Sequence, residues 1–164
     1  MDTENQGVKK CVILTGMSGA GKSTALKVLE DQGMFAIDNI PPALLSQLLL
    51  LLEKHRAAVR NGVAAVVDVR GDTLLDDFPA AITALKAQVP GVSIVFLDAS
   101  DEVLLNRFET TRRRHPLGGE GSFLDGIAGE RVRLKPILEL ADMVLDTSAL
   151  SLPEIRKKLL SKLC

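Results

Sequence analysis

Short runs of apolar, mostly β-branched residues alternate along this chain with longer segments in which apolar residues recur every three or four positions. This alternation is typical of an α/β protein with a parallel sheet and helices on both of its faces. The first run is almost entirely apolar, as expected for a central strand that is buried on both sides. The pattern predicts five strands, at residues 11–15, 34–40, 63–69, 93–98 and 143–146.

Capping residues mark the ends of the intervening helices. Gly33 supplies the left-handed residue that ends the first helix, and Ser100 caps the start of the fourth. Ser151 and Glu154 have the spacing of a capping box, which predicts a last helix starting there. The other boundaries follow from prolines and glycines, and the predicted helices cover about 22–32, 41–60, 77–89 and 100–114.

Length and composition indicate one ordinary globular domain covering residues 1–164. Apolar residues make up 46% and charged residues 25% of the 164 residues, with a net charge of -1. These values exclude a disordered tail and a strongly basic nucleic-acid arm. With five Phe and no Trp or Tyr, the chain also lacks the aromatic residues of a base-stacking platform.

The cysteines and the N-terminus favour a cytoplasmic protein. Cys11 and Cys164 are too far apart in sequence for a paired metal or redox motif, so reduced thiols are expected. The first residues are acidic, unlike a signal peptide. The most apolar stretch, residues 40–52, is too short to cross a bilayer and is predicted to be a buried helix.

One segment matches a phosphate-binding loop, in which two glycines five positions apart are followed by Lys and Ser. It lies between a predicted strand and a predicted helix, where glycines allow backbone N–H groups and the helix N-terminus to point at a polyphosphate. This context predicts a P-loop NTPase fold of the nucleotide-kinase type that binds ATP or GTP. The predicted binding residues are Gly16, Met17, Ser18, Gly19, Ala20, Gly21, Lys22 and Ser23.

Magnesium is the expected metal, because it bridges the phosphates in sites of this kind. Ser23 is predicted to bind Mg²⁺ through its hydroxyl, and Lys22 to contact the outer phosphates as a catalytic residue. Asp68, at the end of an apolar run, is the favoured carboxylate for the metal and the second predicted catalytic residue. Asp98 ends another strand and remains an alternative, and either carboxylate could instead cap a loop.

A cluster of arginines precedes the glycine-rich segment 115–122, which we interpret as the tip of a lid. Guanidinium groups bind phosphate in a bidentate manner, so the cluster is predicted to close over the nucleotide. The alternative is a solvated helix end, where cations suit the negative dipole. The arginines are Arg107, Arg112, Arg113 and Arg114.

Three other positions remain ambiguous. Asp38 lies at the end of the second predicted strand and could serve as a base or hydroxyl anchor for a phosphate acceptor, or form a plain turn. Thr147 and Ser148 could line the base site or begin a turn. His55, in the polar part of the second predicted helix, and His115 are not favoured as catalytic residues.

Taken together, these residues resemble the RapZ/YvcJ family of bacterial nucleotide-binding proteins, which includes the RNase adapter. The resemblance covers about residues 12–163. Apart from the phosphate loop, it rests on the strings at 29–31, 38–42, 68–70, 96–100, 111–117 and 141–148.

The resemblance implies binding of both ATP and GTP with at most slow hydrolysis, and an adapter role that involves a protein partner. It assigns the phosphate loop to ATP and the segment Asp68, Val69, Arg70 and Gly71 to GTP. It also implies a second domain of similar size, on which RNA binding is expected to depend. The alternative function is a small-molecule kinase that transfers the γ-phosphate to an acceptor near Asp38.

Overall fold

The computed structural model describes residues 8–67, 69, 72–111 and 123–163. The strands are β1 (Lys10–Gly16), β2 (Phe35–Ile40), β3 (Val63–Val67), β4 (Gly91–Asp98) and β5 (Met143–Asp146). The helices are α1 (Lys22–Asp31), α2 (Leu45–Leu52), α3 (Asp72–Gln88), α4 (Asp101–Thr111), α5 (Phe123–Leu140) and α6 (Leu152–Leu163), and a 3-10 turn (Pro42–Leu44) precedes α2.

The strands form one five-stranded sheet in the order β2-β3-β1-β4-β5. Pairing is parallel between β1 and β3, between β2 and β3, and between β4 and β5. In register, Val63 of β3 lies opposite Cys11 on one side and Phe35 on the other. The predicted five-stranded parallel sheet of an α/β protein is therefore confirmed.

The central strands β1 and β3 are buried wherever they pair with each other. Every residue of β3 is buried, as are residues 11–16 of β1. Because successive side chains of a strand point to opposite sides, this burial shows that both faces of these strands are covered. Cys11 is completely buried here, and burial raises the pKa of its thiol to about 12.

The chain divides into two compact units. One comprises Met1–Leu14 and Leu26–Ser93, and among its described residues Leu45, Leu49, Phe78 and Leu85 are fully buried. The amide of Gln88 in α3 donates to the carbonyl of Ser46 in α2 at 3.3 Å within this unit. The prediction of a single domain over residues 1–164 stays a prediction.

The second unit comprises Thr15–Ala25 and Ile94–Cys164. Its fully buried side chains include Met17, Leu97 and Leu104. Helices α4 and α5 contact each other through the stacked rings of Phe108 and Phe123, whose centroids are 5.9 Å apart. All contacts described below for the candidate site lie within this unit.

The second helix differs from its prediction. It ends at Leu52 instead of near residue 60, and residues 53–54 and 56–61 form turns with His55 between them. A helix is stabilised mainly by burying an apolar face, and Val59 is the only buried side chain at 53–60. The prediction of a buried helix is also correct for only one face, because Leu44, Leu50 and Leu51 are 46%, 55% and 61% exposed.

Other boundaries shift by a few residues. Helix α3 begins at Asp72 instead of 77 and contains Pro79, which removes one bond from the helix ladder. Strand β3 ends at Val67, and β4 begins two residues earlier than predicted. None of the described helices is long and apolar enough to cross a bilayer.

The predicted caps are confirmed. Gly33 has a φ of 88° and follows α1, and the hydroxyl of Ser100 accepts the N–H of Val103 at 3.2 Å. Ser151 and Glu154 form the complete capping box, with bonds in both directions of 3.2 and 3.3 Å. These signals are local in sequence, so they determine local structure directly.

Candidate functional site

The phosphate loop, defined as residues 16–23, connects the end of β1 to the start of α1. Gly16, Gly19 and Gly21 have φ values of 133°, 83° and 102°, a region that favours glycine. At Gly16 a Cβ would lie on the carbonyl of Leu97 and only 2.6 Å from its nitrogen. The N–H of Met17 donates to that same carbonyl at 3.0 Å. The first glycine is therefore required by close backbone contact as well as by its φ.

Several backbone N–H groups between positions 19 and 24 have no acceptor among the described residues. The N–H of Ala20 donates to the carbonyl of Met17, and the N–H of Ala25 donates to that of Gly21. There are four such groups within these six positions of the described chain. Such groups at a helix N-terminus form a binding site for an anion. They belong to Gly19, Gly21, Ser23 and Thr24.

Several carbonyl groups of the loop, in contrast, accept hydrogen bonds from the protein. The buried hydroxyl of Thr147 donates to the carbonyl of Ala20 at 2.8 Å. The guanidinium of Arg107 donates to the carbonyl of Gly19 at 2.7 Å and to that of Thr147 at 3.1 Å. The carbonyl oxygens of Gly19 and Ala20 are therefore engaged by the protein, whereas the N–H groups named above remain available to a ligand.

Arg107 was predicted to contact phosphate, and Thr147 was predicted either to line the base site or to begin a turn. In the structure both residues brace the phosphate loop. Ser148 makes a turn, since its N–H donates to the carboxylate of Asp146 at 2.9 Å. Hydrogen bonds from the Ser148 hydroxyl and N–H lower the pKa of Asp146.

Lys22 is the first residue of α1 and folds back over the loop. Its ammonium group donates to the carbonyl of Gly16 at 2.9 Å and to that of Met17 at 3.3 Å. The side chain is partly exposed, and its four-carbon stem can rotate the charge toward an anion. Ser23 is exposed, and its hydroxyl makes no hydrogen bond to a described residue.

A carboxylate that the sequence analysis missed contacts the loop from α5. The N–H of Ser18 donates to Oε1 of Glu130 at 2.8 Å, and the Ser18 hydroxyl donates to Oε2 at 2.7 Å. Glu130 is only 8% exposed. It lies between Ile127 and Leu134 on the buried face of α5. A glutamate at the three-to-four spacing of an apolar face was the available signal.

The next residue, Arg131, binds the end of β4. It donates to Asp98 at 2.9 Å, to Asp101 at 2.7 Å and to the carbonyl of Ala99 at 2.6 Å. Burial lowers the pKa of Arg131, but the hydrogen bonds that its guanidinium donates to Asp101 and Asp98 outweigh that effect and raise the pKa. Asp98, the alternative metal carboxylate, is therefore engaged in an ion pair.

Other predicted positions fall in different places. Asp38 is exposed in β2, beside Asn39, whose φ is 55°, at an irregularity in strand pairing. The pair thus lies within a strand and not in a simple turn. Val69 is half-buried just after β3. The predicted residues outside the described part of the chain are Asp68, Arg70, Gly71, Arg112, Arg113 and Arg114, together with His115 and the rest of 115–122.

Solved structures share this fold. A shikimate kinase from Acinetobacter baumannii in complex with shikimate aligns over 94% of this chain and 92% of its own, with a TM-score of 0.61 and 18% identity. A shikimate kinase from Aquifex aeolicus aligns over 93% of this chain and 95% of its own, with a TM-score of 0.57 and 20% identity. The chain therefore has the same fold as these shikimate kinases.

Sequence relatives are much closer. A nucleotide-binding protein from Acidothermus cellulolyticus is 47% identical over 152 residues, which is 93% of this chain and 49% of the relative. One from Caldicellulosiruptor bescii is 46% identical over 150 residues, covering 90% of this chain and 51% of the relative. This chain thus spans about half the length of the curated relatives it matches.

A family model described as the RapZ-like N-terminal domain matches residues 9–164. The match includes the phosphate loop, Arg107, Glu130 and Thr147. With this coverage and the identity to the relatives, the chain belongs to the RapZ-like family.

Proposed function

We propose that this chain binds ATP and GTP with Mg²⁺ at the phosphate loop and uses the bound nucleotide in a regulatory or adapter role. The observation that carries the proposal is the set of unpaired N–H groups at the start of α1, next to Lys22. A polyphosphate is the ligand that suits several convergent N–H donors and a mobile cation. The relatives are named nucleotide-binding proteins, which supports this proposal.

Each part of the loop has a distinct role in this proposal. The backbone N–H groups bind the inner phosphates, and Lys22 contacts the outer ones. Asp68, Val69, Arg70 and Gly71 are assigned to GTP by family resemblance alone. Arg112, Arg113 and Arg114 would add guanidinium contacts to the phosphates.

The side chains present fit a magnesium ion that is bound mainly through phosphate. Ser23 offers an exposed hydroxyl at the helix start that makes no bond to a described residue, and Asp68, which lies outside the described residues, is proposed from its sequence position to add a carboxylate. Within the described ranges, no cluster of three His, Cys, Asp or Glu residues could hold a metal by itself. Mg²⁺ commonly keeps few protein ligands beside phosphate and water, and it would neutralise part of the phosphate charge.

Slow hydrolysis is supported by how two carboxylates described above, Asp98 and Glu130, are engaged. Asp98 is paired with Arg131, and Glu130 is bonded to Ser18, so neither carboxylate is available to orient an attacking water. A site that holds its nucleotide without consuming it suits a regulator whose bound state is read by a protein partner. RNA binding would require the part of the relatives that this chain does not match.

Calorimetric titration tests the proposal directly. We expect both ATP and GTP to bind, each more tightly than its diphosphate and more tightly with Mg²⁺ than without it. The reason is that each added phosphate meets further N–H donors and the charge of Lys22. Absence of binding by every nucleotide, in a sample that unfolds cooperatively on heating, would contradict the proposal.

A small-molecule kinase is the second candidate function, and Asp38 is the observation that favours it. Its carboxylate is exposed and makes no hydrogen bond or ion pair with any described residue, as a group that binds an acceptor hydroxyl requires. If this function is correct, one metabolite in an acceptor screen will strongly stimulate ATP turnover. Asp38→Asn will then reduce that turnover by about 100-fold, which is typical of losing a general base.

The matched control is Asp31→Asn, since Asp31 is also an exposed aspartate without a bond to a described residue. We expect this variant to keep the stimulated turnover. If no acceptor stimulates turnover, or if the two variants behave alike, the kinase is excluded and the regulatory role is retained.

A further inference from the structure

The peptide group between Ala20 and Gly21 carries one of the N–H groups that have no described acceptor. This N–H belongs to Gly21, whereas the carbonyl of the same peptide group belongs to Ala20 and accepts the hydroxyl of Thr147 at 2.8 Å. A trans peptide group is planar, so its C=O and N–H point in opposite directions. A bond that holds the carbonyl therefore also fixes the direction of the N–H.

The backbone at this point can otherwise take more than one orientation. Gly21 has a φ of 102°, and glycine adopts positive and negative φ with similar ease. Rotation about the two bonds that flank the peptide group would turn its carbonyl, instead of its N–H, toward an anion. The preceding peptide group is held at both ends, because the Gly19 carbonyl accepts Arg107 and the Ala20 N–H donates to Met17. In the Ala20–Gly21 peptide group, a described residue holds only the carbonyl end.

Thr147 is itself held in a fixed position directly after β5. It is 1% exposed, and its N–H donates to the carbonyl of Asp98 at 2.9 Å, which continues the pairing of β5 with β4. The guanidinium of Arg107 donates to the Thr147 hydroxyl at 3.2 Å and to its carbonyl at 3.1 Å. A hydroxyl has one proton to donate, and Ala20 at 2.8 Å is a closer acceptor than Asp98 at 3.2 Å. At a site buried from water, such a bond is strengthened.

We propose that Thr147 is a positioning residue, which aims the Gly21 N–H at the inner phosphates of a bound nucleotide by holding the carbonyl of Ala20. This inference rests on the proposed function, because it concerns the same loop. A donor that is already oriented in the free protein does not have to be ordered when the ligand binds, so affinity rises. Because the inner phosphates are common to both ligands, Thr147 contributes equally to the binding of nucleoside diphosphates and triphosphates.

The test replaces Thr147 with valine, which has nearly the same shape but no hydroxyl. We expect Thr147→Val to weaken the binding of Mg·ADP and of Mg·ATP by about tenfold each. Thr147→Ser keeps the hydroxyl and should bind both nucleotides within about threefold of the wild-type protein. Titration calorimetry gives the affinities, and thermal unfolding shows whether each variant is folded.

Thr83→Val is the matched control. The hydroxyl of Thr83 donates to the carbonyl of Pro79 within α3 at 3.0 Å and makes no described bond to the phosphate loop. The same substitution there should leave both affinities unchanged. If Thr147→Ser binds as weakly as Thr147→Val, the hydroxyl is not the group responsible and the proposal is wrong. A loss confined to Mg·ATP also contradicts it, because such a loss points to the outer phosphate.

A measurement on the ligand-free protein tests the orientation itself. NMR relaxation gives the order parameter of the Gly21 N–H, which is about 0.85 for a rigid group and below about 0.6 for a flexible one. We expect the rigid value in the wild-type protein and in Thr147→Ser, and a flexible value in Thr147→Val. A flexible Gly21 N–H in the wild type, or wild-type affinities in Thr147→Val, overturns the role of Thr147 and leaves the proposed function intact. If the folded wild-type protein binds no nucleotide, both proposals are overturned.

Discussion

Replacing Lys22 with alanine is expected to weaken the binding of Mg·ATP and Mg·GTP by about 100-fold or more, while the protein remains folded. The ammonium group of Lys22 is held over the loop by the carbonyls of Gly16 and Met17. It is thus already placed beside the unpaired N–H groups that receive the phosphates. Its removal deletes a charge-assisted contact to the outer phosphates and leaves the backbone of the loop unchanged. Calorimetric titration measures the affinities, and thermal unfolding checks the fold.

Lys27→Ala is the matched control for this prediction. Lys27 is also a lysine of α1, but it is exposed and makes no bond to a described residue. It removes the same charge and should leave nucleotide affinity unchanged within about twofold. If Lys22→Ala binds nucleotide as tightly as Lys27→Ala, the phosphate loop is not the binding site.

Replacing Gly16 with alanine is expected to lower the free energy of unfolding by about 3–5 kcal/mol. The new Cβ would fall on the Leu97 backbone, and the φ of 133° is strained for any L side chain. The loop backbone at Gly16 cannot move away from Leu97 without breaking the hydrogen bond from the Met17 N–H to the Leu97 carbonyl. Nucleotide binding should be lost as well, since the loop begins at this residue. Denaturant unfolding gives the stability.

Gly129→Ala is the control for this substitution. Gly129 lies in α5, and a Cβ there would meet nothing within 4 Å. Alanine should stabilise the helix by up to about 1 kcal/mol, because it restricts the unfolded chain and has the higher helix propensity. Equal unfolding midpoints for the two variants would show that the close approach at Gly16 does not constrain the fold.

The fold was predictable because its signals are local. The apolar runs of the strands, the capping box at Ser151 and the glycine after α1 each depend on a few neighbouring residues. The end of α2 was not predictable in this way. The composition of the chain continues to favour a helix beyond Leu52. The helix nevertheless ends there, because the side chains at 53–60, apart from Val59, are not buried in a core.

The candidate site was predictable only where it is continuous in sequence. The phosphate loop is a single stretch, so its pattern identifies it. Glu130 contacts Ser18 across 112 positions, a pairing that one sequence does not reveal. For Arg107 the sequence indicated a cation near the loop, but not its direction, and the side chain contacts the carbonyl of Gly19. The residue type predicts what kind of group a side chain can bind, whereas the tertiary fold determines which residue it binds.

The leucines on the outer side of α2 have a practical consequence for each of these measurements. Leu50 and Leu51 are both more than half exposed, and Leu44, in the 3-10 turn before α2, is 46% exposed. Apolar surface of this kind promotes self-association at high concentration. Binding curves should therefore be recorded at several dilutions, with light scattering on the same samples. If those curves agree, the fitted dissociation constant describes the unassociated protein and not self-associated species.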